Sequence, residues 1–298
     1  MSVLLMPPPV RPGDLVAVVA PSGPVAKDDL FPGLAWVRDR YRVRATARAL
    51  ARSGYLAGDD EERAHELNLA LADPEVKAIL AVRGGYGAMR LLDKVDLSVL
   101  VESPRWIVGF SDVTALHALA WAHGVGSIHG PHVGTLGRAS PKARASWLAA
   151  LERPMARREW RGLTIVHGGE AHGPLVGGNL TLLFAMAASG RLVLPKGAIL
   201  AIEDVSETPY RVDRMLTALT VGGHLRGVGA IVMGSFDRCG PAPADGVRVE
   251  DVLRERTAHL GVPVLANAPF GHGDVNEAFV LGLPTRIEGG RVISEPTT

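Results

Sequence analysis

Short, continuously apolar runs that end in glycine- or serine-bearing loops, each followed by a helix-like segment, restrict this fold more than any other feature. Residues 15–20 (LVAVVA) form the first run, closed by Pro21-Ser22-Gly23-Pro24. Residues 76–82 form a second and lead directly into Arg83-Gly84-Gly85-Tyr86-Gly87. A third, Trp106-Ile107-Val108-Gly109-Phe110, meets Ser111, and a fourth ends at Ile128-His129-Gly130-Pro131. A run with no alternating polar positions is buried on both faces, as a parallel strand between helical layers is. Helical spacing over residues 28–40, a short strand near Val43, and a helix opened by Asp59-Asp60-Glu61-Glu62 and ended by Asp73-Pro74 fill the intervals. The alternation predicts an open, mostly parallel α/β sheet with its working loops at the carboxyl ends of the strands.

Between residues 138 and 172 the pattern breaks into basic, polar and proline-containing segments such as Arg153-Pro154 and Arg157-Arg158. This divides the chain into an N-terminal α/β domain over residues 1–139, a linker over 140–172 and a second domain over 173–298. Gly173-Pro174-Leu175-Val176-Gly177-Gly178-Asn179 introduces the second domain. Helices are expected there near residues 180–188, 211–219 and 249–260, and strands over 198–202, 229–236, 263–266 and within 280–293. A length of 298 residues accommodates two such domains. With 47% hydrophobic and 21% charged residues the profile is that of an ordinary soluble protein. A net charge of +1 without a Lys/Arg cluster argues against a nucleic-acid partner. Cys239 is the single cysteine, which excludes an internal disulfide framework and favours a reducing compartment. Residues 1–6 carry no leading positive charge and too short an apolar run for a signal peptide, and no stretch has the length of a membrane span. The expected location is cytoplasmic, with no membrane partner.

Four loops have the composition for chemistry. Ser111 falls where a strand meets a helix, so its hydroxyl would stand above the sheet edge with the following amides aimed at whatever it attacks. Gly109 supplies the small side chain that such a turn needs, although Val113 stands where a G-x-S-x-G elbow has its second glycine. The alternative is that Ser111 or Asp112 simply caps the helix. Arg83-Gly84-Gly85-Tyr86-Gly87 is not a dinucleotide loop, because the third glycine would fall on Arg90. Its amides suit an oxyanion hole, or the loop is a structural turn. Glu203-Asp204-Val205-Ser206-Glu207 ends an apolar strand in carboxylates. Glu207 has a possible partner in Arg211, four residues on, and Asp204 and Asp213 in Arg211 and Arg214. Gly271-His272-Gly273-Asp274 places a histidine on a glycine-flanked loop. His129 and His132 belong to no closed ligand set, so no metal site is expected. His117 and His123 read as helix-surface or core positions, and His167 and His172 fall in the linker.

Taken together and in this order, Arg83-Gly84-Gly85-Tyr86-Gly87, Gly109-Phe110-Ser111-Asp112, Glu203-Asp204 with Tyr210-Arg211-Val212-Asp213-Arg214-Met215-Leu216, and Gly271-His272 form a recognisable set. The chain resembles the LD-carboxypeptidases, serine peptidases that include muramoyl-tetrapeptide carboxypeptidase and the microcin C immunity peptidases. The likeness runs from Pro12-Gly13-Asp14 through Leu281-Gly282. It implies an N-terminal domain similar to class I glutamine amidotransferases (flavodoxin-like), a smaller C-terminal α/β domain, and a homodimer. It also implies Ser111 as nucleophile, His272 as general base and Glu203 as the orienting carboxylate. Glu207 competes for that last role, with Glu203 preferred for its place at the strand end. The oxyanion hole would be formed by the amides of Gly85 and Asp112. Arg83, Gly84, Tyr86, Asn179 and Arg211 are candidates for holding the substrate, and no cofactor is implied.

The first functional expectation is release of terminal D-alanine from a murein tetrapeptide during peptidoglycan recycling. A second is microcin C-type immunity, cleaving an amide between an acidic residue and an adenylate-like moiety. The candidate loops hold no tryptophan to stack such a base, which favours the first. A non-catalytic small-ligand-binding protein is the third, and it has no need of Ser, Glu and His together.

Overall fold

The computed structural model describes residues 4–240 and 246–296, and the first three residues of the N-terminal apolar run lie outside them. The chain forms two compact units, one built from residues 4–154 with 277–281, the other from 155–276 and the residues from 282 on.

In the first unit the order is β1 (Leu15–Val19), α1 (Lys27–Arg38), β2 (Arg42–Ala45), α2 (Asp60–Ala72), β3 (Val76–Ala81), α3 (Val99–Glu102), β4 (Trp106–Gly109), α4 (Thr114–Ala122), β5 (Ser127–His129), α5 (Val133–Leu136) and α6 (Pro141–Glu152). The apolar runs of the sequence are the buried parallel strands, and Val16, Ala78, Ile79, Trp106 and Ile128 are at most 1% exposed. The acidic start of α2 acts as expected: the Asp59 side chain caps it by accepting the Glu62 N–H at 2.8 Å.

The second unit continues with β6 (Arg158–Trp160), β7 (Thr164–His167), β8 (Ala171–Asn179), α7 (Leu180–Ala188), β9 (Ile199–Val205), α8 (Pro209–Val221), β10 (Ala230–Asp237), α9 (Val249–Ala258) and β11 (Val264–Ala266). Then follow β12 (Phe279–Leu281), β13 (Pro284–Glu288) and β14 (Arg291–Ser294). Among the described residues the first sheet has the order β12-β5-β4-β3-β1-β2 and the second β6-β14-β13-β8-β9-β10-β11-β7. β1 to β5 are parallel, and β12 closes that sheet as an antiparallel edge on β5. In the second sheet β8 to β11 are parallel, with antiparallel strands at both margins.

Three features differ from, or add to, the reading of the sequence. Residues 140–172 are not an irregular linker. They hold α6, capped by the Ser140 hydroxyl and anchored by the fully buried Trp147, and the strands β6 and β7. β6 and β7 lie at the sheet margins and stay partly exposed, so they carry no continuous apolar run. The glycine-rich stretch 173–179, which the sequence marks only as the introduction to the second domain, is the carboxyl-terminal part of strand β8. A Cβ on Gly177 would sit 1.9 Å from the Ala201 carbonyl oxygen, so glycine there permits close approach to β9. The short apolar run Phe279–Leu281 belongs to the first sheet, pairing with β5. Its composition fits either sheet equally well.

Candidate active site

On the first unit, β4 delivers the chain to Ser111 through an extended Phe110, and a single 3-10 turn over Ser111–Val113 leads into α4. Ser111 has φ of +58°, a left-handed conformation that costs a residue with a Cβ on the order of 1–2 kcal/mol and persists only where its surroundings enforce it. Gly109 leaves no room for a side chain, since a Cβ would meet the Val113 methyls at 2.9–3.0 Å. The Gly109 carbonyl accepts the Gly130 N–H at 3.0 Å and the His117 Nε2–H at 3.0 Å. Burial pushes the His117 imidazole down to about 4, so it stands neutral as a donor at this carbonyl. His132 stacks on the Phe110 ring at 4.3 Å, with Nε2 3.0 Å from the Phe110 carbonyl oxygen.

The Arg83–Gly87 loop abuts this turn. A Cβ on Gly84 would lie 2.8 Å from Ser111 Cβ and 3.0 Å from its Oγ. The Gly84 carbonyl accepts the Gly23 N–H at 3.0 Å, and Gly85 and Gly87 take φ of +105° and +131°. The Asp112 carboxylate does not cap its own helix. It reaches this loop and accepts the Ala88 N–H at 2.7 Å. Of the substrate-binding candidates here, Arg83 is exposed and hydrogen-bonds the Pro24 carbonyl at 2.9 Å, while Tyr86 is 51% exposed with its ring edge-on to Tyr55.

On the second unit, β9 carries Glu203 to the carboxyl end of the parallel core, fully buried. His272 Nδ1 and Glu203 Oε2 are 2.6 Å apart. Glu207 has a different partner, the exposed Arg211 at 3.4 Å, so of the two carboxylates it is Glu203 that engages the histidine. Burial opposes a charge on His272, but the hydrogen bond and charge of Glu203, with the charges of Asp204 and Asp237, hold its pKa above the ordinary histidine value. Glu203 Oε1 is buried with no hydrogen-bond partner among the described residues.

The expected partners of the neighbouring acids are not those found. Asp204 accepts Asn179 Nδ2 at 2.9 Å, the Thr181 N–H at 2.9 Å and the Thr181 hydroxyl at 2.8 Å, and not an arginine. Burial, with the nearby Glu203 charge adding to it, pushes its carboxyl up to about 6. Asp213 accepts the Thr217 hydroxyl at 2.9 Å and lies 3.5 Å from Arg256. Asn179 is 3% exposed and caps α7 by accepting the Leu182 N–H, so both ends of its amide are engaged inside the unit.

One residue of this half escaped the sequence. Ser235 lies where the pairing of β10 with β9 is irregular, between Met233 and Phe236. Its N–H donates to the Phe270 carbonyl and its hydroxyl accepts the Gly273 N–H, both at 2.9 Å, which brackets His272 from both sides. Gly271, at φ of +112°, has no space for a Cβ, which would fall 2.5 Å from Ser235 Oγ and 3.0 Å from Glu203 Oε2. A lone serine in an apolar strand gives no signal of that role.

Among the described residues no group of three or more His, Cys, Asp or Glu is disposed to hold a metal ion, and no helix is long and apolar enough to cross a membrane.

Residues 16–130 match the LD-carboxypeptidase N-terminal domain, and residues 172–287 match the LD-carboxypeptidase C-terminal domain. The murein tetrapeptide carboxypeptidase of Pseudomonas aeruginosa is 36% identical over 290 residues, 93% of this chain and 94% of that protein. The crystal structure of muramoyltetrapeptide carboxypeptidase from Oxalobacter formigenes superposes with a TM-score of 0.84 at 30% identity, covering 95% of this chain and all of the other. The microcin C7 self-immunity protein MccF shares the fold, with a TM-score of 0.89 over 99% of each chain at 22% identity. With both domains matched in order and the Glu203–His272 pair and the Ser111 turn in place, the chain belongs to the LD-carboxypeptidase family.

Proposed function

We propose that this chain is a serine LD-carboxypeptidase that hydrolyses the peptide bond releasing terminal D-alanine from murein tetrapeptide. The observation that carries this reading is the 2.6 Å contact between buried Glu203 and His272 Nδ1, which leaves Nε2 to accept a proton. In the reaction Ser111 Oγ attacks the scissile carbonyl as its proton passes to His272 Nε2. The carbonyl oxygen gathers negative charge, met by the amides of Gly85 and Asp112. Collapse expels the D-alanine amine, which takes the proton from His272. Water, deprotonated in turn by His272, then frees the acyl product and restores Ser111. Glu203 holds the tautomer and offsets the imidazolium charge. Ser111 belongs to one unit and the Glu203–His272 pair to the other.

Arg83 and Tyr86, both exposed and on the unit that carries Ser111, are the side chains we assign to substrate, with Gly84 leaving room for it beside the hydroxyl. Arg211 is exposed as well and is, with Arg83, a candidate for the substrate's free carboxylate, whereas Asn179 acts through the α7 cap. The family resemblance supports a cytoplasmic homodimer acting on recycled murein peptides, and the single cysteine fits a reducing compartment.

The test is mass spectrometry of a diaminopimelate-containing murein tetrapeptide incubated with wild type and Ser111→Ala. Loss of one alanine with wild type, slowed at least about 10⁴-fold in the variant, is expected. Equal turnover by both proteins overturns the serine mechanism. Turnover of a peptidyl-adenylate in place of the tetrapeptide would assign microcin C-type immunity, and binding without turnover would assign a small-ligand-binding protein.

A further inference from the structure

Asp112 has two attachments to the region around Ser111. Its own N–H is one of the two donors assigned to the oxyanion hole, and its carboxylate, 1% exposed, holds the Ala88 N–H at 2.7 Å. Ala88 lies three residues beyond Gly85, the source of the other donor. The same loop is pinned at two more points. Gly84 O accepts the Gly23 N–H at 3.0 Å, and Gly87 O accepts Arg63 Nη1 at 3.0 Å. Arg63 is 3% exposed, an unusual burial for a guanidinium. Its Nη1 also bonds the Pro21 carbonyl and its Nη2 bonds Asp60, so it ties the loop after β1 to the loop after β3. The Cβ position of Gly87 is filled by Arg63 Nη1 and Leu56 Cδ2, each 2.7 Å away. Gly85 and Tyr86 lie between the pins, with the Tyr86 ring edge-on to Tyr55.

We infer that the Asp112 carboxylate, with Arg63, is the positioning device that sets the Gly85 amide against the Asp112 amide and so fixes the width of the oxyanion hole; this rests on the serine-peptidase reading above. A carboxylate beside a developing oxyanion is electrostatically adverse, and a buried one costs more than an exposed one. Its presence therefore needs a compensating role and a compensating charge. The Ala88 hydrogen bond is the role and Arg63 is the charge. Burial pushes the Asp112 carboxyl above the ordinary aspartate range, opposed first by the Ser22 hydroxyl, then by the backbone N–H groups of Ala88 and Gly87, and last by the Arg63 charge. On this reading neither side chain touches substrate. Both act through the two amides, where a misplacement of about 1 Å costs about 10²-fold in rate.

The experiment uses the full chain and compares wild type, Asp112→Ala, Asp112→Asn, Arg63→Lys and Ser111→Ala. It reads kcat and KM on the tetrapeptide, and the affinity of a peptide boronate whose tetrahedral serine adduct occupies the oxyanion hole. Asp112→Ala is expected to lower kcat and boronate affinity together by about 10²-fold, with KM within about twofold of wild type. Asp112→Asn keeps an oxygen for the Ala88 N–H and is expected to recover to within about tenfold of wild type. Arg63→Lys cannot span the Pro21 and Gly87 carbonyls together and is expected to lose about tenfold in the same two readouts. The lysine variant carries the test if Asp112→Ala does not fold. Wild-type kcat and boronate affinity in Asp112→Ala or Arg63→Lys, a loss confined to KM, or an asparagine variant no better than alanine overturns the inference. If Ser111→Ala is inactive while Asp112→Ala matches wild type, only this inference falls. If Ser111→Ala is active, the serine-peptidase reading falls first.

Discussion

The proposed nucleophile, Ser111, and the proposed general base, His272, are held by different kinds of force. Ser111 is held by its main chain: a left-handed φ, two glycines with no room for a Cβ, and backbone carbonyls fixed by buried histidines. His272 is held by its side chain, through one short contact to a fully buried carboxylate, on a loop that a serine hydroxyl secures. Backbone constraint fixes a position without introducing charge, which suits a neutral hydroxyl that must project. A carboxylate fixes a position and changes acidity as well, which suits a group that must gain and lose a proton. The two halves should therefore fail in different ways when disturbed. Damage to the first should misplace the serine at unchanged acidity, and damage to the second should move the pH dependence.

After Ser111→Ala, the largest effect expected is that of Glu203→Gln. Loss of the charge removes both the imidazolium's counterion and the fixed tautomer, and kcat should fall by about 10³–10⁴-fold. The sign of the pH shift follows from the causes acting on His272. The base works when neutral, so kcat/KM rises with pH through the His272 pKa, which lies above its ordinary 6.5. Without Glu203, burial is no longer outweighed, and the acid limb should move to lower pH even as the maximal rate falls. A pH–rate profile on wild type and variant checks this. An unmoved limb would remove Glu203 from its role at the histidine.

A smaller loss is expected from Gly84→Ala, and of the opposite kind. The added Cβ would meet Ser111 Cβ at 2.8 Å and its Oγ at 3.0 Å, so the serine or the loop must give way. Activity should fall by about 10²-fold from misplacement alone. The acid limb should stay where wild type has it, because nothing at His272 has changed. A limb that moved in Gly84→Ala as it does in Glu203→Gln would erase the distinction between the halves.

How much of this was legible in the sequence follows the same division. Strands β1, β3, β4 and β9 announce themselves as apolar runs, and their carboxyl ends carry Ser111 and Glu203, because burial on both faces leaves no alternative composition. The margins were not legible. β6 and β7 are short and half exposed, and β12 is an apolar triplet that fits either sheet, so the linker boundary and the sheet membership of residues 279–281 were beyond pattern. At the site, glycines and charged residues gave the loops away. The partners of Asp204 did not, since Asn179 and Thr181 lie more than twenty residues upstream and meet it only through the pairing of β8 with β9. His117 read as a bland helix position, because its role depends on the Gly109 carbonyl, which only the fold brings to it.

Ser235 gives the finest test of the comparison, because it supports the base without touching the Glu203–His272 contact. Its hydroxyl accepts the Gly273 N–H while its own N–H donates to the Phe270 carbonyl, so Ser235→Ala releases one end of the His272 loop and leaves the other tied. The β10 strand should persist, since its pairing with β9 uses main chain that alanine retains. A freed Gly273 amide costs about 1 kcal/mol of loop order, and kcat should fall roughly tenfold. If the serine acts by holding His272 against Glu203, a looser contact lets burial count for more, and the acid limb should drift in the direction of Glu203→Gln by a smaller amount. If it merely fills space, kcat falls with no drift. Measuring kcat/KM against pH for Ser235→Ala alongside Glu203→Gln distinguishes the two, and a shift to higher pH would contradict both. In the nucleophile half the carbonyl anchors are buried histidines instead, and His117 is held neutral by its surroundings rather than poised to titrate near neutrality.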